Sequence, residues 1–238
     1  MQKMFNFINK NTNYDINKKV ELTNTIAKLK RSDDFLMDSL AFYTSESEFM
    51  YFFNRTMRNV DKSLTRLSYL IGPMYYSMVR YLETKYPDFK LNKSMILYRK
   101  IIINKYDLNL YQISQHNIIC FPSFTSTSIN KNFSTTKKAK KVNQINLNEE
   151  VELLLIIKYH HNPSYSNQGM VLNGFSVNQH EEEILLFPFT FVKAHLLNKV
   201  GDKKYELECT IINKDRILEF GLKKDRKVVL KNNILTIQ

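Results

Sequence analysis

Three short segments of this chain carry polar side chains in or beside strand-like runs, and their residue types could act together. They are Leu97-Tyr98-Arg99, Phe124-Thr125-Ser126-Thr127-Ser128 and Glu181-Glu182-Glu183. In an extended strand, residues two apart point to the same face, with their Cα atoms roughly 6.5 to 7 Å apart. Glu181 and Glu183 would then project together as two carboxylates on one wall of a cleft. The apolar run Ile184 to Phe187 that follows would anchor that wall in the core.

Each segment taken alone also has a plain structural interpretation. Arg99 could be a rim arginine paired with a surface acid, and Ser126 to Ser128 could be hydroxyls on the polar face of a strand. Glutamates in front of an apolar strand often protect that strand from aggregation. A second Glu-x-Glu, Glu150-Val151-Glu152, also precedes an apolar run, so this pattern by itself is weak. The order of the three segments is the stronger signal.

The ordered set resembles the R-S-E signature of the arginine-specific mono-ADP-ribosyltransferases. That family has an arginine ending one strand, a Ser-Thr-Ser on the next and a Glu-x-Glu opening a later one. The resemblance covers about residues 40 to 195. It includes Ala41-Phe42-Tyr43-Thr44 with Asn54, Arg55 and Arg58, the run Phe121 to Ser128, and Phe175-Ser176 followed by Glu181 to Phe189. In the family a target-recognition loop precedes the Glu-x-Glu, and Gly169 to His180 could supply it, so the resemblance selects Glu183 over Glu150.

The resemblance implies an enzyme that moves ADP-ribose from NAD to an arginine side chain of a target protein and releases nicotinamide. Departure of nicotinamide leaves positive charge on the ribose, so a carboxylate must stabilise an oxocarbenium-like transition state. By resemblance, Glu183 is that carboxylate, and Ser126 positions it and lines the nicotinamide pocket. Arg99 would hold NAD, with a phosphate as its natural partner. Thr127 and Ser128 belong to the same cofactor-binding segment.

Three more residues receive roles through the resemblance. Glu181 would orient the target arginine and accept its proton, because a guanidinium is protonated at neutral pH and attacks poorly. Arginine specificity therefore rests on Glu181, since family members with Gln there use other acceptors. Lys100 stands where the family has a glycine whose backbone contacts nicotinamide, so its side chain must point outward to leave the pocket open. Phe133 is the counterpart of an aromatic that stacks on nicotinamide.

Helical patterns come first along the chain and strand patterns afterwards, which predicts an α+β fold. Helical spacing of apolar residues predicts helices near 20–31, 45–60 and 64–82. A shorter period predicts strands near 95–103, 117–124, 151–159, 183–192, 205–212 and 228–237, the last with a hairpin turn at Lys231-Asn232-Asn233. The loops between strands are too short for crossover helices, which disfavours a doubly wound parallel sheet. We expect one domain over 1–238, with a helical subregion 1–90 packed on a bent two-sheet β core over 91–238 that holds an NAD cleft.

Composition narrows the class of protein further. Hydrophobic residues make up 43% of the chain, enough for one sizeable core. No apolar run approaches the roughly 18 residues of a membrane span, and no signal peptide is visible. Cys120 and Cys209 cannot build a disulfide framework, so we expect a cytoplasmic protein, with delivery as an effector as the alternative. The five glycines form no nucleotide-binding loop, and His160-His161 has the wrong spacing for a metal, so we expect no metal cofactor.

Two other functions stay open on the sequence. Lys100 could have cost the chain its activity and left an NAD-binding or protein-binding pseudoenzyme. The net charge of +12 could instead indicate a nucleic-acid-binding module, with Lys131 to Lys141 as its basic cluster. Lysine is nevertheless spread along the whole chain beside abundant asparagine, which favours biased composition. We therefore expect a target protein with an exposed arginine as the partner, and neither membrane nor nucleic acid.

Overall fold

A computed structural model describes residues 14–29, 31, 38, 48–58, 87–113, 118–132, 150–164, 167–172, 182–213, 228–231 and 234–237. The chain forms two compact units. The first comprises Met1–Asp88 with Asn173–Gln179, and the second comprises Phe89–Leu172 with His180–Gln238. Helices α1 and α2 belong to the first unit, and a large β-sheet belongs to the second.

The first unit contains helix α1 (Ile16–Leu29) and helix α2 (Glu48–Arg58). Asp15 caps α1, because its side-chain Oδ1 accepts a hydrogen bond from the backbone N–H of Lys18 at 2.9 Å. The buried side chains Leu22, Ile26 and Leu29 in α1, and Phe52, Phe53 and Met57 in α2, lie at helical spacing. These helices confirm the first two helix predictions, whereas the one near 64–82 lies outside the described residues.

The second unit is built on a sheet of ten described strands. They are β1 (Met95–Asn104), β2 (Ile118–Phe121), β3 (Thr125–Ser128), β4 (Glu150–Tyr159), β5 (Gly169–Val171), β6 (Glu183–Leu186), β7 (Thr190–Gly201), β8 (Lys204–Ile212), β9 (Val228–Lys231) and β10 (Ile234–Ile237). Their spatial order is β5-β6-β3-β1-β4-β8-β7-β2-β10-β9. The predicted hairpin near 228–237 is confirmed by the antiparallel pairing of β9 with β10.

Helices followed by a mostly antiparallel sheet confirm the α+β class and exclude a doubly wound parallel sheet. One detail differs from the expected two-sheet core, because hydrogen bonds link all ten described strands into a continuous ladder. The pairing of β4 with β8 joins the β5-β6-β3-β1-β4 half of the ladder to the β8-β7-β2-β10-β9 half. These two strands run parallel, from Glu152↔Lys204 to Lys158↔Thr210. Every other pairing in this sheet is antiparallel.

A helix that the sequence reasoning missed, α3 (Lys105–Ile113), follows β1 directly. The side-chain Oδ1 of Asn104 accepts a hydrogen bond from the backbone N–H of Asp107 at 2.7 Å and so caps the helix. Leu108 and Tyr111, three residues apart on one face, are buried in the core. The asparagine cap and the two buried apolar residues thus end β1 at Asn104 and begin a helix at Lys105.

The predicted strand 183–192 is wrong as a single element, because a turn divides it into β6 and β7. Phe189 has a φ of 58°, in the left-handed region that no strand continues through. The Thr190 hydroxyl donates to the carbonyl of Phe187 at 2.6 Å and closes the turn. Pro188 between them has no N–H to give to a ladder.

The segment expected to be a loop from Gly169 begins instead as the short strand β5. Gly169 pairs with Leu186, and Met170 pairs with Leu185. A Cβ added at Gly169 would lie 2.7 Å from the carbonyl oxygen of Leu185, so only glycine allows this approach of the two backbones.

The core of the sheet lies on one face, formed by alternate residues of the central strands. Its buried side chains include Leu97, Leu153, Leu155, Ile157, Ile184, Leu186, Val192, Ala194, Leu207 and Cys209, with Leu108 and Tyr111 from α3. This core includes residues of β1 and β6, and β3 lies between those two strands.

We predict that Leu155→Ala destabilises the second unit by about 2–5 kcal/mol, because it removes a buried side chain and leaves a cavity. Leu155 is only 1% exposed. The control is Ile102→Ala, at a site on β1 that is 39% exposed, and it should cost less than about 1 kcal/mol. Urea unfolding measures both, and equal losses would contradict the assignment of the core face.

Candidate functional site

The three segments singled out in the sequence lie on neighbouring strands, with β3 between β1 and β6. Tyr98 of β1 pairs with Ser128 of β3, and Ser128 pairs with Glu183 of β6. The antiparallel register therefore brings together residues that are far apart in the chain. It does so through backbone ladders of the sheet and not through flexible loops.

Ser128 and Glu183 are direct cross-strand partners, so their side chains share one face with Cβ atoms about 4.5–5.5 Å apart. Ser126 pairs with Leu185 and lies one step along the same face. The expected partner of Glu183 was Ser126, whereas the register places Ser128 directly opposite it. The Oγ of Ser128 also accepts a hydrogen bond from the backbone N–H of Asn130 at 2.9 Å, which fixes the chain as β3 ends.

Arg99 contacts the serine segment directly. Its Nη1 donates a hydrogen bond to the backbone carbonyl of Ser126 at 2.6 Å. The pairing of β1 with β3 is a single bridge at Tyr98, so the ladder does not extend to Arg99 and its side chain can reach the carbonyl. This charge-assisted bond fixes the direction of a guanidinium that stays protonated at all ordinary pH values.

Thr127 faces the opposite way from its two serine neighbours and ties β3 to β6. Its hydroxyl donates to the carbonyl of Ile184 at 2.8 Å. The side chain is 3% exposed, so this bond is shielded from water. Thr127 thus bonds β3 to β6 on the face of the sheet opposite to Glu183, while Ser126 and Ser128 lie on the same face as Glu183.

Glu183 opens β6 and is only 8% exposed. Its backbone carbonyl accepts a hydrogen bond from the N–H of Leu172 at 2.9 Å, which anchors the start of the strand. Glu182 precedes it with a φ of 44°, a left-handed conformation that costs a glutamate energy. Strain of this kind beside a buried carboxylate is common at functional sites.

The conformation of Glu182 also corrects the argument for Glu181. Alternation would put Glu181 and Glu183 on one wall only if Glu182 were extended, and it is not. Glu181 lies outside the described residues, as does Phe133. Their roles stay predictions that rest on the resemblance alone.

Lys100 lies on the face of β1 that carries Tyr98, and so on the face of Ser128 and Glu183, whereas Arg99 lies on the opposite face with Leu155 as its partner on β4. Its Nζ lies 3.7 Å from Oε1 of Glu152, on β4. Because β4 flanks β1 on the side away from β3, this ion pair draws the lysine side chain away from the serine segment. It also gives the second Glu-x-Glu a structural role, since Glu152 is the acid that Lys100 contacts.

Tyr111 of α3 lies near Arg99 and was missed because α3 itself was not predicted. Burial raises the pKa of its phenol to about 12 from the ordinary 10.0, and the positive charge of Arg99 opposes part of that rise. The spacing of Leu108 and Tyr111 after Asn104 was the signal that could have identified it. The guanidinium therefore lies beside a neutral, buried phenol.

We predict an alkaline loss of stability that depends on Tyr111. Because its folded-state pKa is above the unfolded value, the unfolded chain releases the proton first. The stabilisation is present below pH 10 and lost as the pH rises towards 12, by up to about 3 kcal/mol. The free energy of unfolding of Tyr111→Phe, measured with urea, should fall less than that of the wild type across this pH range. An equal fall in the variant and the wild type would refute the role of Tyr111.

The described residues contain no group of three His, Cys, Asp or Glu side chains that could hold a metal ion. Among the helices that the structure describes, none is both long and apolar enough to span a membrane. The site as described therefore has two serine hydroxyls and a buried carboxylate on one face of the sheet, and the Arg99 guanidinium on the opposite face, bonded to the backbone carbonyl of Ser126.

No protein-family model matches the chain, and no curated protein matches its sequence. Solved structures do match its fold. The ADP-ribosyltransferase Vis from Vibrio splendidus, solved with an inhibitor, has a TM-score of 0.54 at 16% identity, covering 95% of this chain and 96% of its own. C3stau2 from S. aureus, solved with NAD, has a TM-score of 0.53 at 13% identity over 85% of this chain and 99% of its own.

A third structure, Plx2a, an ADP-ribosyltransferase toxin from Paenibacillus larvae, has a TM-score of 0.51 at 13% identity. The match covers 82% of this chain and 95% of Plx2a. At such identities the likeness establishes the fold and not the reaction. The chain has an ADP-ribosyltransferase-like fold, as the resemblance implied.

Proposed function

We propose that this chain is a mono-ADP-ribosyltransferase that breaks the bond between nicotinamide and ribose in NAD and transfers ADP-ribose to an arginine side chain of a target protein. The observation that carries the proposal is the meeting of Arg99, Ser126 to Ser128 and Glu183 on three neighbouring strands of this fold. The fold makes NAD the natural substrate to test, and the side chains supply the chemistry.

Glu183 is the group that stabilises the transition state. As the bond breaks, its electrons leave with nicotinamide and the ribose carbon becomes positive. A carboxylate held on a strand and screened from water stabilises that charge more strongly than a solvated one. Glu183 is 8% exposed and is fixed through the ladder to Ser128, which supports this role. The hydroxyls of Ser126 and Ser128, on the same face, orient the carboxylate.

Arg99 holds the dinucleotide through a phosphate. Its guanidinium is oriented by the bond to the Ser126 carbonyl at 2.6 Å, and a planar fork of donors matches phosphate oxygens. Because the same bond fixes Arg99 against the serine segment, a phosphate bound there lies at a set distance from Glu183. Such positioning before reaction lowers the entropic part of the barrier.

Arginine as the acceptor is the part of the proposal that rests on Glu181. A protonated guanidinium has no free electron pair to attack the ribose carbon, so a base beside it must accept a proton as the new C–N bond forms. Glu181 opens the Glu-x-Glu whose last residue is Glu183. The partner is accordingly a protein with an exposed arginine.

We predict that Glu183→Gln lowers the rate of ADP-ribose transfer by at least about 10²–10³-fold, because the amide is isosteric and uncharged. Transfer from labelled NAD to a small guanidine compound measures the effect. Glu150→Gln is the control, since it makes the same change in the other Glu-x-Glu and leaves the ion pair of Lys100 with Glu152 intact. Comparable losses in both variants, or full activity in Glu183→Gln, would contradict the role of Glu183.

We also predict that Glu181→Gln separates two activities. Hydrolysis of NAD needs only stabilisation of the ribose cation, so release of nicotinamide should persist. Transfer to the guanidine compound should be lost, because no base remains to accept the proton. Parallel assays of nicotinamide release and labelled acceptor distinguish the two, and an equal loss of both activities would argue against this division of labour.

A catalytically silent NAD-binding module is the second candidate, favoured by Lys100 in place of the family's glycine. The pairing of Lys100 with Glu152 weakens this alternative, since it draws the side chain towards β4. Calorimetric binding of NAD without release of nicotinamide would favour it.

The nucleic-acid-binding alternative depends on the basic cluster Lys131 to Lys141. Lys131, at the start of that cluster, is paired with Glu206 at 3.0 Å, and residues 133–141 are outside the described part of the chain.

We further propose a reducing, cytosolic place of action, including the cytosol of another cell if the chain is delivered there. Cys120 and Cys209 are both buried, and neither forms a disulfide within the described residues. Burial raises the pKa of Cys209 to about 12, which keeps it as an unreactive thiol.

A further inference from the structure

The second unit contains a cavity of about 410 Å³ that none of Arg99, Ser126, Ser128 and Glu183 lines. It lies where the chain leaves β4 and β8, against the first half of β7. A volume of this size is typical of sites for small organic ligands. The cavity is therefore large enough for a small ligand in its own right.

The lining side chains are rich in groups that can donate hydrogen bonds, and one of them, Lys193, is cationic. They include His160, His161, Asn162, Lys193 and His195, and none of the described lining residues is acidic. The carboxylate of Glu208, two residues before Thr210 in β8, is paired with Lys158 at 3.0 Å. The balance of charge around the cavity favours an anion.

Buried polar atoms near this cavity lack partners within the described residues. Nδ1 of His161 is buried without a hydrogen bond, and so are both polar atoms of the Asn167 side chain, next to the lining residue Gln168. Such atoms are rare in folded proteins, because burial removes their bonds to water without replacement. The described residues thus leave polar groups unsatisfied beside this cavity.

The walls of the cavity are held in place by hydrogen bonds. The backbone N–H of His161 donates to Oγ of Ser94 at 2.9 Å, and the Tyr159 hydroxyl donates to the Leu91 carbonyl at 3.1 Å. His195 Nε2 and Thr210 Oγ1 share a bond of 2.8 Å. A site fixed in this way loses little entropy when a ligand binds.

We propose that this cavity binds a small phosphate-bearing molecule. A tetrahedral phosphate offers several acceptor oxygens to donors arriving from different sides, which suits imidazole, amide and ammonium groups around one centre. The volume of about 410 Å³ exceeds that of phosphate alone and leaves room for an organic part such as a sugar. This site is separate from the proposed transfer reaction and does not depend on it.

NMR of the full-length chain tests the proposal through the imidazole signals of His160, His161 and His195, assigned by single His→Gln variants. The probes are inorganic phosphate, ribose 5-phosphate and, as the uncharged control, ribose. Saturable shifts of these signals with the two phosphates and none with ribose are expected. Tighter binding of ribose 5-phosphate would assign the cavity to a phosphorylated organic molecule, and equal binding would assign it to the free ion.

Two lysine variants distinguish specific binding of phosphate in the cavity from non-specific attraction of phosphate to a positively charged protein. Lys193→Met should weaken phosphate binding by about tenfold, as expected for loss of a charge-assisted hydrogen bond. Lys199→Met removes an exposed lysine from the same strand, away from the lining residues, and should leave the affinity unchanged. Absence of saturable shifts at millimolar phosphate, or equal weakening by the two variants, would overturn the proposal.

Discussion

The position of β3 between β1 and β6 is the constraint on which the candidate site depends. In this four-residue strand, the backbone carbonyl of Ser126 accepts a hydrogen bond from the Arg99 guanidinium. The hydroxyl of Thr127 donates a hydrogen bond to the backbone carbonyl of Ile184. The last residue of the strand, Ser128, lies opposite Glu183. Because the side chains of a strand alternate, one short segment can bind a neighbouring strand with one face and support a carboxylate with the other. The polar groups of the site are therefore placed by backbone pairing.

The electrostatics of the site follow from burial. A carboxylate that is 8% exposed is costly unless its surroundings favour its charge, and the same exclusion of water strengthens its action on a nearby cation. On the other side of β3, Arg99 lies near Tyr111, whose phenol is kept neutral by burial. The left-handed backbone at Glu182 adds strain where β6 begins. The apolar face of the sheet, with Leu97, Leu155 and Ile184 fully or nearly fully buried, compensates for these costs.

Much of the fold, and the separate strands that carry the three polar segments, could be predicted from the sequence, for physical reasons that also explain the errors. Strands such as β1 and β4 have long apolar alternation, and the order of the Arg, Ser-Thr-Ser and Glu segments anticipated their meeting. The errors lie where local backbone chemistry overrides periodicity: the Asn104 cap that starts α3, the Phe189 turn that divides 183–192, and the close approach of Gly169 in β5. The choice of Ser128 over Ser126 opposite Glu183 depends on register, which a single strand does not specify.

A crystal structure of the chain with NAD tests the central claim most directly, because the claim concerns where one carboxylate lies relative to one sugar. The account predicts the Glu183 carboxylate about 2.6–3.2 Å from the 2′-hydroxyl of the nicotinamide ribose. It also predicts a phosphate on the Arg99 guanidinium, and the Ser126 and Ser128 hydroxyls on the face of the sheet that carries Glu183. A dinucleotide bound away from β3, or Glu183 turned away from the ribose while Arg99 holds the phosphate, would contradict it.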